Sequence, residues 1–108
     1  MMVLRHFVGT DGVDRYNEWF DTVRDLRAKL AILKRLDRLA EGNFGQVRAL
    51  RKGVWEIKID VGAGFRVYYA LSGKTIILLL CGGDKTSQTA DINRAVGFWE
   101  DFQKRERS

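Results

Sequence analysis

Two periodicities divide the chain. Over the first 40 or so residues, apolar side chains recur at intervals of three and four, as on one face of an α-helix. From residue 46 to 81 they mostly alternate, as on one face of a strand. Val3–Val8 reads as a short first strand, closed by Gly9-Thr10-Asp11-Gly12, where Thr10 or Asp11 is placed to cap a helix. In that helix Tyr16, Trp19, Phe20 and Val23 fall at i, i+3, i+4 and i+7 and share a face. Asp25 opens a second helix. Leu26, Leu30, Leu33, Leu36 and Leu39 are its expected core stripe, and Gly42 is its stop. The two helices are expected to pair antiparallel.

Beyond Gly42-Asn43-Phe44-Gly45 the pattern predicts strands. Gln46–Leu50 is an edge strand and Arg51-Lys52-Gly53 a turn. Val54–Asp60 alternates, with Trp55, Ile57 and Ile59 on one face and Val54, Glu56, Lys58 and Asp60 on the other. Val61–Gly64 turns the chain into a strand over Phe65–Leu71, and Ser72-Gly73-Lys74 turns it into a central strand over Thr75–Cys81. Gly82-Gly83-Asp84 is expected to end that strand. Asp84 or Thr86 would then cap a last helix around Ile92, Ala95, Val96 and Trp99, with residues 103–108 frayed. This order predicts one α+β domain over residues 1–108: two N-terminal helices on a mostly antiparallel sheet of four or five strands, a C-terminal helix, and the helices together on one sheet face.

Composition narrows the chemistry. The longest apolar run, Ile76 to Cys81, is far too short to span a bilayer, and Arg5 and His6 interrupt the opening segment, so a cytoplasmic protein is expected. Cys81, the one cysteine, has no disulfide partner and no zinc-site neighbours, and reads as a small core residue. The single histidine, His6, excludes a two-histidine acid–base pair within one chain. No phosphate-binding loop, GxSxG elbow or magnesium-type carboxylate cluster is present, and Gly62-Ala63-Gly64 opens a strand rather than a helix, unlike a dinucleotide fingerprint. Net charge is +5 and the pI about 9.7, a balance suited to a polyanion.

Several cations have a place in that reading. Alternation puts Lys58, Arg66 and Tyr68 on one sheet face, with Lys85 just past the central strand. Such a group either stabilises the charge that builds on a phosphodiester when a 2′-hydroxyl attacks it, or merely covers the sheet, with Lys58 paired to Glu56 or Asp60. Tyr68 is placed to stack on a base or to move a proton. Arg27, Lys34 and Arg38, on the second helix, read as a solvated face or as a contact for RNA or an acidic partner, and Arg51 and Lys52 are further RNA-contact candidates.

The segments Val54–Asp60 and Gly64–Tyr69 resemble the central signature of RelE/ParE-superfamily toxins. Residues 78–88, with Asp91, Ile92 and Ala95, are similar to its HigB-like branch, phage-derived addiction-module killer proteins. The resemblance covers nearly the whole chain. It implies a toxin neutralised by a helix-turn-helix antitoxin, and metal-independent cleavage of mRNA on the ribosome with no cofactor. It also implies that Lys58, Arg66 and Lys85 match basic positions of the family. Glu56 stands where RelE has a lysine, and Asp91 where RelE has a catalytic tyrosine. Two other activities remain open: inhibition of DNA gyrase without catalysis, as in ParE-like relatives, and a phage remnant that only binds its antitoxin.

Overall fold

The computed structural model describes residues 1–107. Its elements run β1 (Val3–His6), α1 (Arg15–Thr22), α2 (Leu26–Ala40), β2 (Val47–Ala49), β3 (Val54–Ile59), β4 (Phe65–Ser72), β5 (Ile76–Asp84) and α3 (Gln88–Glu106). The five strands form one mixed sheet in the order β1-β5-β4-β3-β2. β2 through β5 pair antiparallel with their sheet neighbours, and β1 joins β5 in parallel. This is the expected α+β class.

The two sheet faces are covered by different helices, which corrects the expectation of one helical layer. Ile57, Ile59, Val67, Tyr69, Ile77 and Leu79 point into a core shared with Tyr16 and Val23 and with Ala28, Ile32, Leu36 and Leu39 of α2. Val54, Tyr68, Ala70, Leu78 and Leu80 point the other way, onto Ala95, Val96 and Trp99 of α3. Strand alternation thus supplies both cores. One irregularity adjusts it: opposite Tyr68 and Tyr69, β5 spends an extra residue, so Leu80 and Cys81 both lie on the α3 side.

The leucine stripe expected on α2 is half wrong. Leu36 and Leu39 are buried, but Leu26, Leu30 and Leu33 are 68%, 51% and 45% exposed, and Ala28 and Ile32 take the inward positions. Asp25 caps the helix as expected, accepting hydrogen bonds from the Arg27 and Ala28 amides. The cap of α1 is Asp14, not Thr10 or Asp11; Asp11 instead holds Arg15 at 2.7 Å, and that guanidinium lowers its carboxyl to about 2.

Gly82 and Gly83 do not break β5, which runs through them to Asp84. They are needed for close approach. A methyl group on Gly82 would sit 2.2 Å from the Trp19 ring, and one on Gly83 1.8 Å from a carboxylate oxygen of Asp91. The bend after β5 is built by Asp84, whose carboxylate accepts from the Thr86 and Ser87 amides and the Thr86 hydroxyl, which lowers its pKa. Ser87, rather than Asp84 or Thr86, occupies the α3 cap position. Residues 103–106 continue α3, and Arg105 donates to the Val8 carbonyl, tying the helix end to the region after β1. Ser108 lies outside the described residues.

Candidate nucleic-acid site

The β3–β4 register sets Lys58 directly opposite Arg66, and β4–β5 pairing sets Arg66 opposite Gly83. Like charges facing each other across an antiparallel pair cost stability. Here they open onto a shared space. One cleft of about 340 Å³ is lined by Lys58, Asp60, Arg66 and Lys85 with the backbone of Gly62–Gly64. A second, of about 300 Å³, is lined by Arg48, Glu56, Lys58, Arg66 and Gln88. Lys58 and Arg66 belong to both. Three of the four expected catalytic residues therefore meet.

The three cations are held differently. Lys58 is exposed, with Nζ 3.6 Å from Asp60 Oδ1, the pairing that a plain surface lysine would make. Lys85 is exposed, and no carboxylate among the described residues lies within ion-pair distance of it. Arg66 is 7% exposed. Its Nε is fully buried, lies 3.8 Å from Glu56 Oε2, and has no hydrogen-bond partner among the described residues.

Glu56 is the residue that pattern reading did not assign to the site. It is buried, and it gathers three neighbours: Arg48 Nη2 at 3.3 Å, Gln88 Nε2 at 2.9 Å and the more distant Arg66 Nε. A buried carboxylate this close to Arg48 and Arg66 offsets part of their positive charge. Its position on the Lys58 face was visible in the alternation of β3. Its burial depends on α3, whose first residue, Gln88, closes over it.

Tyr68 departs from its expected place. It shares the Lys58 and Arg66 face, but α3 covers it completely; it is 0% exposed, and burial pushes its pKa well above the tyrosine range. Its hydroxyl is buried without a hydrogen-bond partner among the described residues. It can neither stack on a base nor exchange a proton with a substrate in this structure.

The proposed RNA-contact residues do not form one surface with the cleft. Arg27, Lys34 and Arg38 are exposed on α2, which packs on the other sheet face from α3. Arg51 and Lys52 are exposed in the β2–β3 turn, where Arg51 bonds to Asn93 of α3. Lys58 is six residues further along the chain, about 20 Å at the rise of a strand. Lys52 takes the left-handed conformation there, with φ 60°.

A larger cavity, about 650 Å³, lies beyond the 61–64 turn between α1, the end of β5 and the start of α3. Its ionic lining is mixed: Arg15, Arg24 and Arg94 against Glu18, Asp25, Asp84 and Asp91. A polyanion is better served by the smaller clefts, where cations outnumber carboxylates. Among the described residues no group of His, Cys, Asp and Glu side chains is arranged to hold a metal ion, and no helix is long and apolar enough to cross a membrane.

Comparison with known proteins places these features. An uncharacterized protein of Haemophilus influenzae is 41% identical over 80 residues, covering 74% of this chain and 81% of that protein. Residues 18–96, from α1 into α3 and so including every residue of the two cationic clefts, match the family described as phage derived protein Gp49-like (DUF891), and the chain belongs to that family.

Proposed function

We propose that this protein is the toxin of a toxin–antitoxin module, of the RelE-like, HigB-type kind, and that it cleaves mRNA on the ribosome. The observation that carries this reading is Arg66: it lines both cationic clefts, directly opposite Lys58, where cations outnumber carboxylates. Cations gathered around one cleft repel one another, and an anionic ligand there would relieve that repulsion. Membership of a phage-derived family and the basic net charge are consistent with the reading.

In the proposed reaction the ribose 2′-hydroxyl attacks the adjacent phosphorus. A 2′,3′-cyclic phosphate forms, the bond to the 5′-oxygen breaks, and that oxygen leaves with a proton. Arg66 stabilises the charge that grows on the non-bridging oxygens. Lys58 and Lys85 hold the phosphate; one takes the proton of the attacking 2′-hydroxyl and the other gives a proton to the departing 5′-oxygen. Glu56, 3.8 Å from Arg66, faces the arginine rather than the substrate and balances part of its charge. These cations supply the charge stabilisation that metal ions provide in other nucleases. The clefts are open, and the ribosome is the partner that would order the message in them. The antitoxin proposed to neutralise the protein is a helix-turn-helix protein.

Primer extension on mRNA from briefly induced cells tests this. New 5′ ends inside translated codons are expected, and Arg66→Ala should lower their yield by about a hundredfold or more, the usual cost of losing one transition-state donor. Circular dichroism on the purified variant checks that it stays folded. Intact mRNA in arrested, filamenting cells would replace this reading with gyrase inhibition, and intact mRNA without arrest would indicate an inactive remnant.

A further inference from the structure

The outer side of α2 carries a surface that neither the core nor the cationic clefts account for. Leu26, Leu30 and Leu33, at i, i+4 and i+7, form an apolar ridge along two turns, each leucine roughly half exposed or more. A ridge of this length has a solvation cost that a core role would have removed. Arg27 and Lys34 run beside it on one flank, and Arg38 continues that flank one turn beyond the last ridge leucine, next to Asp37 and Glu41. All three are exposed, and none has an ion pair or hydrogen bond from its side chain among the described residues. On the other flank Lys29 lies 4.8 Å over the Phe20 ring. The acidic residues of this face, Asp37 and Glu41, sit at the helix's C-terminal end, past the last leucine.

We propose that this ridge docks an acidic amphipathic helix from a partner protein, which on the reading above would be the antitoxin. The ridge asks for an apolar stripe at matching spacing, and its flanks ask for carboxylates. A second copy of this chain fits poorly, because a two-fold contact would bring the same unpaired cations together. RNA would satisfy the cations and leave the leucines facing a polar backbone. α2 packs on the sheet face opposite the one that carries Lys58 and Arg66, so the ridge and the clefts are different surfaces. The proposal rests on the toxin reading only for the partner's identity.

The test uses the full chain and two labelled helical peptides. One carries leucines at i, i+4 and i+7 flanked by glutamates; the other replaces each glutamate with lysine. The acidic peptide should bind saturably and more weakly as salt rises, and the lysine peptide should not bind. Leu30→Glu should weaken binding by about thirtyfold or more, as expected for a central interface anchor. Because Leu30 is exposed, the variant should keep the wild-type circular dichroism. Charge reversal at Arg27, Lys34 and Arg38 to glutamate should exchange the preference between the peptides. Amide shifts should concentrate on residues 26–38.

The proposal is overturned by no binding of the acidic peptide, by binding indifferent to Leu30→Glu, or by shifts centred on Lys58, Arg66 and Lys85. Dimers that Leu30→Glu dissolves in sedimentation would overturn it in favour of self-association. An RNA oligonucleotide competing for residues 26–38 would do so in favour of RNA. The nuclease reading fails separately, through loss of the Arg66-dependent mRNA ends, whatever the peptides do.

Discussion

Arg66 and Tyr68 are two residues apart on one face of β4, yet they have opposite fates. Arg66 lies where α3 begins and keeps access to a cleft; Tyr68 lies under the body of the helix. Alternation along a strand identifies a face, but not which element covers it or how far that cover extends. Pattern reading therefore placed both residues on an open surface. The buried Tyr68 hydroxyl without a partner gives a sharp prediction. Tyr68→Phe removes an unsatisfied polar group from a packed site, so urea denaturation should show unchanged or higher stability, by up to about 1 kcal/mol. Cleavage of mRNA should also be unchanged. A Tyr68→Phe protein that folds but no longer cuts would return the tyrosine to the chemistry. Glu56 illustrates the reverse error: its place opposite Arg48 and Tyr68 follows from register, but its role emerges only with Gln88 of α3 above it.

Among the elements, α2 shows how a regular spacing can mislead. Leu30, Leu33, Leu36 and Leu39 are three residues apart, and each step of three falls about 60° short of a full turn. The row therefore winds around the helix instead of staying on one face. Its early members emerge into solvent and its late members turn into the core, where Ala28 and Ile32 complete the buried face. The consequence is measurable by paired substitutions. Leu36→Ala should destabilise the protein by about 2–5 kcal/mol, the range for a buried leucine truncated to alanine. Leu33→Ala should fall within about 0.5 kcal/mol of wild type, as surface changes do. Similar losses at both positions in thermal or urea unfolding would contradict the packing described for α2. The α2 cap at Asp25, the turn at Arg51–Gly53 and the alternation of β3 and β4 were all legible, because they depend on local backbone chemistry. The glycines of β5 were not. The same residue type serves a turn or a close approach, and only the positions of Trp19 and Asp91 decide between them.

At the scale of the molecule, charge and fold separate two surfaces. The sheet divides the cations into a set with α3, around Lys58, Arg66 and Lys85, and a set on the outside of α2. Net charge alone treats all of them as one attraction for a polyanion; the layer between them does not. This makes salt dependence a test of which cations meet RNA. For single strands, the slope of log affinity against log salt falls by about 0.7 for each phosphate contact removed. Lys85→Gln and Lys58→Gln should each reduce the slope for a short RNA oligonucleotide by about that amount. Lys85 should show the fuller effect, since Lys58 already has Asp60 beside it. Arg27→Gln and Lys34→Gln should leave the slope unchanged, because they project from the other side of the sheet. Equal losses from all four substitutions would mean that RNA is held by diffuse charge rather than in the clefts, and the specific placement of Arg66 beside Lys58 would lose its functional meaning. A loss confined to Lys58 and Lys85 would tie RNA binding to the sheet face where Glu56 lies beside Arg66.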